Sequence, residues 1–408
     1  VTDRTRVLAL VQAGGAGGRM DVLTRERAKP ALPFAGVFQL VDFPLSNLAH
    51  SGIDDVWLSV QFQGSTLEGQ VANGRPWDLD RNRGGLRILM PQQGTGSLDE
   101  DGFARGNADL LFRVRDQVAA HRPDVLLVLS ADHVYRLDLA DVVAHHLAQG
   151  AECTVVTSTV PLAEAFDHGV VEVEDGRVTG FAYKPDEPTT DVVATEIFAY
   201  DPAVLAEVLD DLHRELGPDA EAGDTGLGDF GEHLLPRLVE RGRTVALAHE
   251  GYWRDLGQPH LYLRAHRDLL VDGHDVLDVD GWPILTQQPQ RSPARLREGA
   301  VVVDSRVSPG SDVAGTVRDS VLGPGVVVEA GAEVVESVVF ADTVVRRGAR
   351  VWRSIVDARC EIGGDAHVGA ADADLDDSDQ ITIIGCESTV APGTRLGAGA
   401  RLEPGSSA

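Results

Sequence analysis

Four short segments carry side chains that could do chemistry together. The first is Q-A-G-G-A-G-G-R, residues 12–19, which follows the apolar run Val7–Val11. Glycines let a backbone turn tightly and come close to a ligand, and consecutive free N–H groups cradle an anion. Ala13, Gly14 and Gly15 would form that cradle, and Arg19 adds a planar fork of donors suited to phosphate oxygens. The second is R-A-K-P, residues 27–30, whose Lys29 is near enough in sequence to approach the same phosphates. The third is L-L-V-L-S-A-D, residues 126–132, where Asp132 closes a strongly apolar run. A carboxylate in that place needs a partner: a divalent metal is one, and the amides of a following helix are the alternative. The fourth is G-Y-W-R-D-L-G, residues 251–257, which sets Asp255 between aromatic residues and a glycine. Two cations with two carboxylates able to hold Mg²⁺ against phosphate oxygens describe phosphoryl or nucleotidyl transfer.

Bringing those segments together requires strands whose ends meet. Between residues 1 and 265, strand-like runs (Val7–Val11, Val56–Val60, Val125–Leu129, Cys153–Thr157, Thr244–Ala248) alternate with helix-like ones (Leu110–Ala120, Leu139–Leu147, Pro202–Leu216). That alternation predicts an α/β domain with a mostly parallel sheet and helices on both faces. Ligands then bind at the carboxyl ends of the strands. Residues 266–296 read as a helix tail and a Pro/Gln-rich connector.

From residue 297 to 408 no helical period survives. Ser320, Ser337 and Ser354 recur at one spacing, each followed by an apolar pair, and Ala332, Ala349 and Ala366 share that spacing. Val390, Leu396 and Leu402 recur at about a third of it. Three short faces per coil of roughly 18 residues are the signature of a parallel β-helix. Such a domain has open coil edges and reads as an assembly module. The stretch Asp365–Asp379 is rich in aspartate but lacks the glycine of a calcium loop, so it reads as a solvated loop.

A net charge of −28 argues against a nucleic-acid partner, while leaving room for a local cationic site. No apolar run approaches the ~20 residues of a membrane span. No signal-peptide pattern opens the chain, and Cys153, Cys360 and Cys386 show no metal or redox spacing. A cytoplasmic location is the expectation.

The four segments occur in one order with V-D-F-P-L-S-N (41–47), S-G-I (51–53), P-Q-Q (91–93), R-G-N-A-D (105–109), Y-K-P (183–185) and G-D-F-G (228–231). Over nearly its whole length the chain resembles the ADP-glucose pyrophosphorylases (glucose-1-phosphate adenylyltransferases), among the sugar-1-phosphate nucleotidyltransferases. The resemblance implies a Rossmann-like catalytic domain (1–265), a linker (266–296) and a left-handed β-helix (297–408). It implies that NTP and a sugar 1-phosphate, most simply ATP and glucose 1-phosphate, give a nucleotide sugar and pyrophosphate by in-line attack, with Mg²⁺ on Asp132 and Asp255. Arg19 and Lys29 would neutralise the triphosphate and the departing pyrophosphate. Lys184 would clamp the sugar phosphate, with Tyr183, Glu196 and Asp255 around the sugar. Gln92 would face the base, and Gly106, Asn107 and Asp109 would line the nucleotide pocket with Ala13, Gly14 and Gly15. A homotetramer built through the β-helix and a sugar-phosphate effector between the domains are further implications. Arg25, Arg27, Arg81 and Arg83 are candidate anion contacts, with plain solvation as the alternative.

The departures from the family pattern surround the substrates. Tyr183 stands where the family has Glu before the lysine. Glu196, in A-T-E-I-F, stands where the family has Gly. Gln12 replaces an apolar residue, and Gly18 replaces Ser or Thr. These changes leave the reaction type intact and open the identity of the sugar and the base. All four charged residues are present, which favours an active enzyme over the non-catalytic regulatory subunits of the family. An acyltransferase coil would need a catalytic histidine, and the short coil region contains His367 alone.

Overall fold

A computed structural model of the chain describes residues 5–15, 17–91, 102–217, 220, 224–271, 276–277 and 279–408. Its centre is a nine-stranded sheet. From one edge the strands are Gly85–Leu89, Asp55–Val60, Val7–Ala13, Val125–Ser130, Val192–Tyr200, Cys153–Thr159, Thr244–Ala248, Arg177–Tyr183 and Gly169–Glu174. All run in one direction except Val192–Tyr200 and Arg177–Tyr183, so the sheet is mostly parallel, as expected. Alternate residues of the central strands enter two separate cores: Ala9, Val11, Leu127 and Leu129 on one face, Leu8, Leu10, Leu126 and Val128 on the other. Burial on both faces explains why these strands read as unbroken apolar runs.

The helices that cover the sheet begin and end on recognisable signals. Asp138 and Asp201 cap Leu139–Gln149 and Pro202–Leu216 by accepting from the amides of Ala140 and of Ala203 and Val204. Gly150 closes Leu139–Gln149 in the left-handed conformation. The connector is held along helix Asp42–His50: Trp282 Nε1 donates to Asn47 Oδ1 at 3.0 Å, and the Leu285 amide donates to Ser46 Oγ at 2.9 Å.

The C-terminal part is a prism of three six-stranded parallel sheets, as a left-handed β-helix has. Its serine repeat has a direct cause. Ser337 and Ser354 each donate their amide to the hydroxyl of the serine one coil earlier, at 3.1 Å, and each serine hydroxyl donates to the carbonyl two residues before it. Ala332, Ala349 and Ala366 are fully buried inside the prism, where a larger side chain has no room. Below them the regular step is interrupted, and Ile355 pairs with Ile383. The inserted residues include most of the aspartate-rich stretch, whose aspartates are mostly exposed, as a solvated loop requires, while one edge of it docks on the catalytic part. Asp376 pairs with Arg264 at 2.8 Å, Ser378 Oγ meets His260 Nδ1 at 2.6 Å, and Leu375 packs into the seam between the domains. The loop is a strut against helix Pro259–Asp268.

That seam is a continuous apolar core. Met20, Leu23, Phe34 and Tyr262 from the catalytic side meet Val338, Phe340, Ile355 and Ile383 of the coils. Around it Arg27 pairs with the buried Asp357 at 2.8 Å, Arg401 with Asp21 at 2.6 Å, and Arg25 with Glu403 at 3.4 Å. The segment after the glycine loop is therefore clamped to the β-helix on its far side. Arg81 is likewise paired, with Asp54 and Asp78.

Candidate active site

The first strand ends at Ala13, and the glycine loop leaves it beside the end of Val125–Ser130, its parallel neighbour. Gln12, Ala13, Gly14 and Gly15 line a cavity of 280 Å³ together with Lys29, Gly106, Asn107, Asp132 and Glu196. A Cβ on Gly14 would meet the Gln61 side-chain amide at 2.5 Å, so a larger residue there would displace the Gln61 side chain. Gly106 has φ +116, and a Cβ on it would lie 2.3 Å from the Gly228 carbonyl. The R-G-N-A-D and G-D-F-G segments thus grip each other. Asn107 donates its amide to Asp229 and accepts from the Phe230 amide at 2.5 Å, and the Gly228 carbonyl accepts from Ala108 and Asp109.

A second, smaller cavity of 30 Å³ adjoins the first and shares Glu196 with it. Arg19, Lys184, Tyr183, His168 and Asp255 line it. Lys184 has φ +48 and is held by its amide on the His168 carbonyl at 2.9 Å, a left-handed conformation that a lysine adopts only when its surroundings impose it. The Tyr183 hydroxyl donates to Asp229 Oδ2 at 3.0 Å.

Between the cavities lies a charged cluster. Lys29 is only 7 % exposed, and its ammonium reaches Asp132 at 2.5 Å and Asp255 at 3.7 Å. Burial by itself would lower the Lys29 pKa, but the Asp132 and Asp255 carboxylates outweigh it and hold it above the ordinary lysine value. Burial would raise Asp132; Lys29 and His133 override that and hold it well below the usual carboxylate range. His133 sits behind them, its Nε2 at 3.6 Å from both Asp132 Oδ1 and Asp255 Oδ1. The carboxylates of Asp132 and Asp255 supply hard oxygen donors of the kind that hold Mg²⁺, so the residues present suit that ion chemically, with Lys29 as the cation now between them. Asp132 does not cap a helix: its oxygens meet Lys29 and the Ser130 hydroxyl.

Residues 8–271 match the family described as nucleotidyl transferase, and residues 292–398 match GlmU-like, C-terminal hexapeptide. The chain is 36% identical to a glucose-1-phosphate adenylyltransferase of Thermomicrobium roseum, covering 98% of this chain and 93% of that protein. It is 31% identical to the enzyme of that name from Acetivibrio thermocellus, over 98% and 94% of the two chains. With the one from Bacillus thuringiensis (strain Al Hakam) identity is 32%, over 83% and 88%. The chain belongs to the glucose-1-phosphate adenylyltransferase family.

Two of the expected residues stand outside the described wall of the glycine-loop cavity. Arg19 lines the second cavity with Lys184, and the described wall of the glycine-loop cavity does not include it. Asp109 lies beneath the nucleotide cavity: it is fully buried and accepts from the Arg105 amide, Arg113 Nε and Thr225 Oγ1. Its carboxylate is spent on fixing the turn that presents Gly106 and Asn107. Gln92 falls outside the described residues. Sequence reasoning missed Gln61, Asp229, His168 and His133. His133 had a visible signal, its place next to Asp132; Asp229 lay in a quoted motif without a role. Gln61 and His168 had none, because only the tertiary fold brings them to the cavities.

Proposed function

We propose that the enzyme transfers the adenylyl group of ATP to glucose 1-phosphate, giving ADP-glucose and pyrophosphate. The observation that carries this reading is the meeting of two cavities at one charged cluster: one walled by the glycine loop, and an adjoining smaller one with Arg19 and Lys184 in its wall. Neither Arg19 nor Lys184 has a carboxylate partner in the ion pairs among the described residues. A phosphate monoester is the anion whose oxygens suit such a pair.

Lys184 and Arg19 hold the sugar phosphate, while the backbone of Ala13, Gly14 and Gly15 receives the triphosphate. One sugar-phosphate oxygen forms a bond to the α-phosphorus as the bond to pyrophosphate breaks. Lys29 stands at the junction and stabilises the charge that develops on the phosphoryl oxygens. When bound, Mg²⁺ on Asp132 and Asp255 supplies Lewis-acid charge neutralisation. No protein nucleophile takes part, and rate comes from positioning and preorganised charge. Gln12, whose amide donates to the Asn107 carbonyl at 3.1 Å, and Asn107 border the nucleoside; Tyr183 and Glu196 border the sugar. We also place the enzyme in the cytoplasm as a homotetramer, for which the exposed Leu296, Val301 and Val303 on the first coil offer apolar contact surface. Regulation by a sugar phosphate belongs to the same reading.

The test is pyrophosphate release with Mg²⁺ over a grid of nucleoside triphosphates and sugar 1-phosphates. Preference for ATP with glucose 1-phosphate is expected. Preference for another pair would overturn the substrate assignment, and silence across the grid would overturn the catalytic one.

A further inference from the structure

The strand Val192–Tyr200 does something unusual at its middle. Its pairing with Cys153–Thr159 slips between Ala194 and Phe198, and Glu196 there has φ +57. A glutamate in the left-handed region inside a strand is strained by about 1–3 kcal/mol, and such strain clusters where a site needs it. Thr195 anchors the bulge by donating its hydroxyl to the Val156 carbonyl at 2.9 Å. The bulge delivers two things to one point. It turns the half-buried Glu196 carboxylate toward the charged cluster, with no hydrogen bond to it among the described residues. It also offers the Thr195 carbonyl to His133 Nδ1 at 3.1 Å. A carbonyl can only accept, so Nδ1 carries the proton and Nε2 is the nitrogen that faces the carboxylates.

We infer that His133 and Glu196 join Asp132 in a three-donor seat for the divalent cation, with Asp255 beside it at 3.6 Å from His133 Nε2, so that the metal centre is built by the protein before nucleotide arrives. One donor atom from each of the three lies within 4.8 Å of the others. The His133 to Asp132 separation of 3.6 Å is too long for a hydrogen bond. It lies between the ~3.0 and ~4.2 Å that separate donors sharing one ion at bond lengths of about 2.1 Å. The Thr195 carbonyl is the outer partner that fixes a ligating imidazole. A centre with two carboxylates alone would take Mg²⁺ chiefly together with substrate phosphates. An imidazole nitrogen added to two carboxylates shifts preference toward Mn²⁺ and its neighbours, which accept nitrogen more readily. One oxygen of Glu196 remains for a sugar hydroxyl, so this inference refines the proposed reaction. It rests on that reading only for its purpose and not for its test.

The experiment is a titration of the full-length protein with Mn²⁺ in the absence of nucleotide, following the free-ion electron paramagnetic resonance signal. Glu196→Gln and His133→Gln are compared with the parent, their folding checked by circular dichroism. The parent should bind one Mn²⁺ per chain, and each variant should bind at least about tenfold more weakly. Mg²⁺ should compete only at much higher concentration. Absence of Mn²⁺ binding without nucleotide overturns the inference. So does unchanged Mn²⁺ binding in Glu196→Gln with a raised KM for sugar 1-phosphate, which would make Glu196 a sugar contact alone. Failure here leaves the pyrophosphate-release grid untouched, and silence in that grid leaves Mn²⁺ binding readable.

Discussion

Replacing Asp132 with asparagine tests the charged cluster at two levels. On the sequence alone the change would remove a metal ligand and leave the fold untouched. The structure adds a second consequence, because Asp132 is the closest counter-ion of a lysine that is only 7 % exposed. Removing one partner of a buried pair costs about 3–5 kcal/mol, since the other charge is left uncompensated. Two features reduce that figure. The substituted side-chain amide can still accept a hydrogen bond from Lys29 through its oxygen, and Asp255 stays 3.7 Å from the ammonium. Unit charges at about 4 Å attract by about 4 kcal/mol at an effective dielectric near 20, so Asp255 retains much of the compensation. The expected destabilisation is about 2 kcal/mol, read as a lower urea midpoint with unchanged m. Adding Lys29→Met to Asp132→Asn should give a double-mutant coupling of similar size, because the pair is then removed together. Turnover in Asp132→Asn should fall by at least about 100-fold. An unfolding midpoint equal to the parent's would refute the reasoning about Lys29, and near-normal turnover would refute the metal assignment.

Lys184→Ala should raise the KM for sugar 1-phosphate by about 10–100-fold, the worth of a charge-assisted hydrogen bond, with the KM for nucleotide unchanged in steady-state assays. Gly106→Ala places a methyl against the Gly228 backbone at a φ of +116, and chemical denaturation should show a loss of about 3 kcal/mol. Arg27→Met strands the Asp357 carboxylate, whose side chain is 1% exposed, and thermal unfolding should reveal a cost of about 3 kcal/mol together with faster proteolysis at the domain seam. Burial raises the Asp42 carboxyl from 3.8 to about 6 despite hydrogen bonds from Gln70 and the Gln39 amide. The raised group contributes stability that is full below pH 3.8 and is lost as pH rises through about 6, so Asp42→Asn should flatten the stability profile across that window. Parallel profiles for parent and variant would show that Asp42 titrates normally.

Much of the architecture was legible because the relevant forces are local or periodic. Strand segments buried on both faces must be apolar, and Val7–Val11 and Val125–Leu129 are, with the polar Gln12 and Ser130 following where the strands reach the cavity. A coil that repeats its hydrogen bonding must repeat its residues, and the serine ladder of Ser320, Ser337 and Ser354 appears as a spacing. The reversed strands Val192–Tyr200 and Arg177–Tyr183 escaped notice. Thr195 and Glu196 interrupt the apolar run of the first, and the second is half-exposed.

The sequence by itself determined the two-part architecture, the glycine loop, and the identity of the charged residues, since each follows from residue type at short spacing. Only the tertiary structure decided how those charges are shared. It paired Lys29 with Asp132, moved Arg19 to the side of Lys184, and withdrew Asp109 into the core. It also made a strained bulge at Glu196 the neighbour of His133. Electrostatic partners are chosen by distance and burial. Both depend on strands and loops that are remote in sequence and adjacent only after folding.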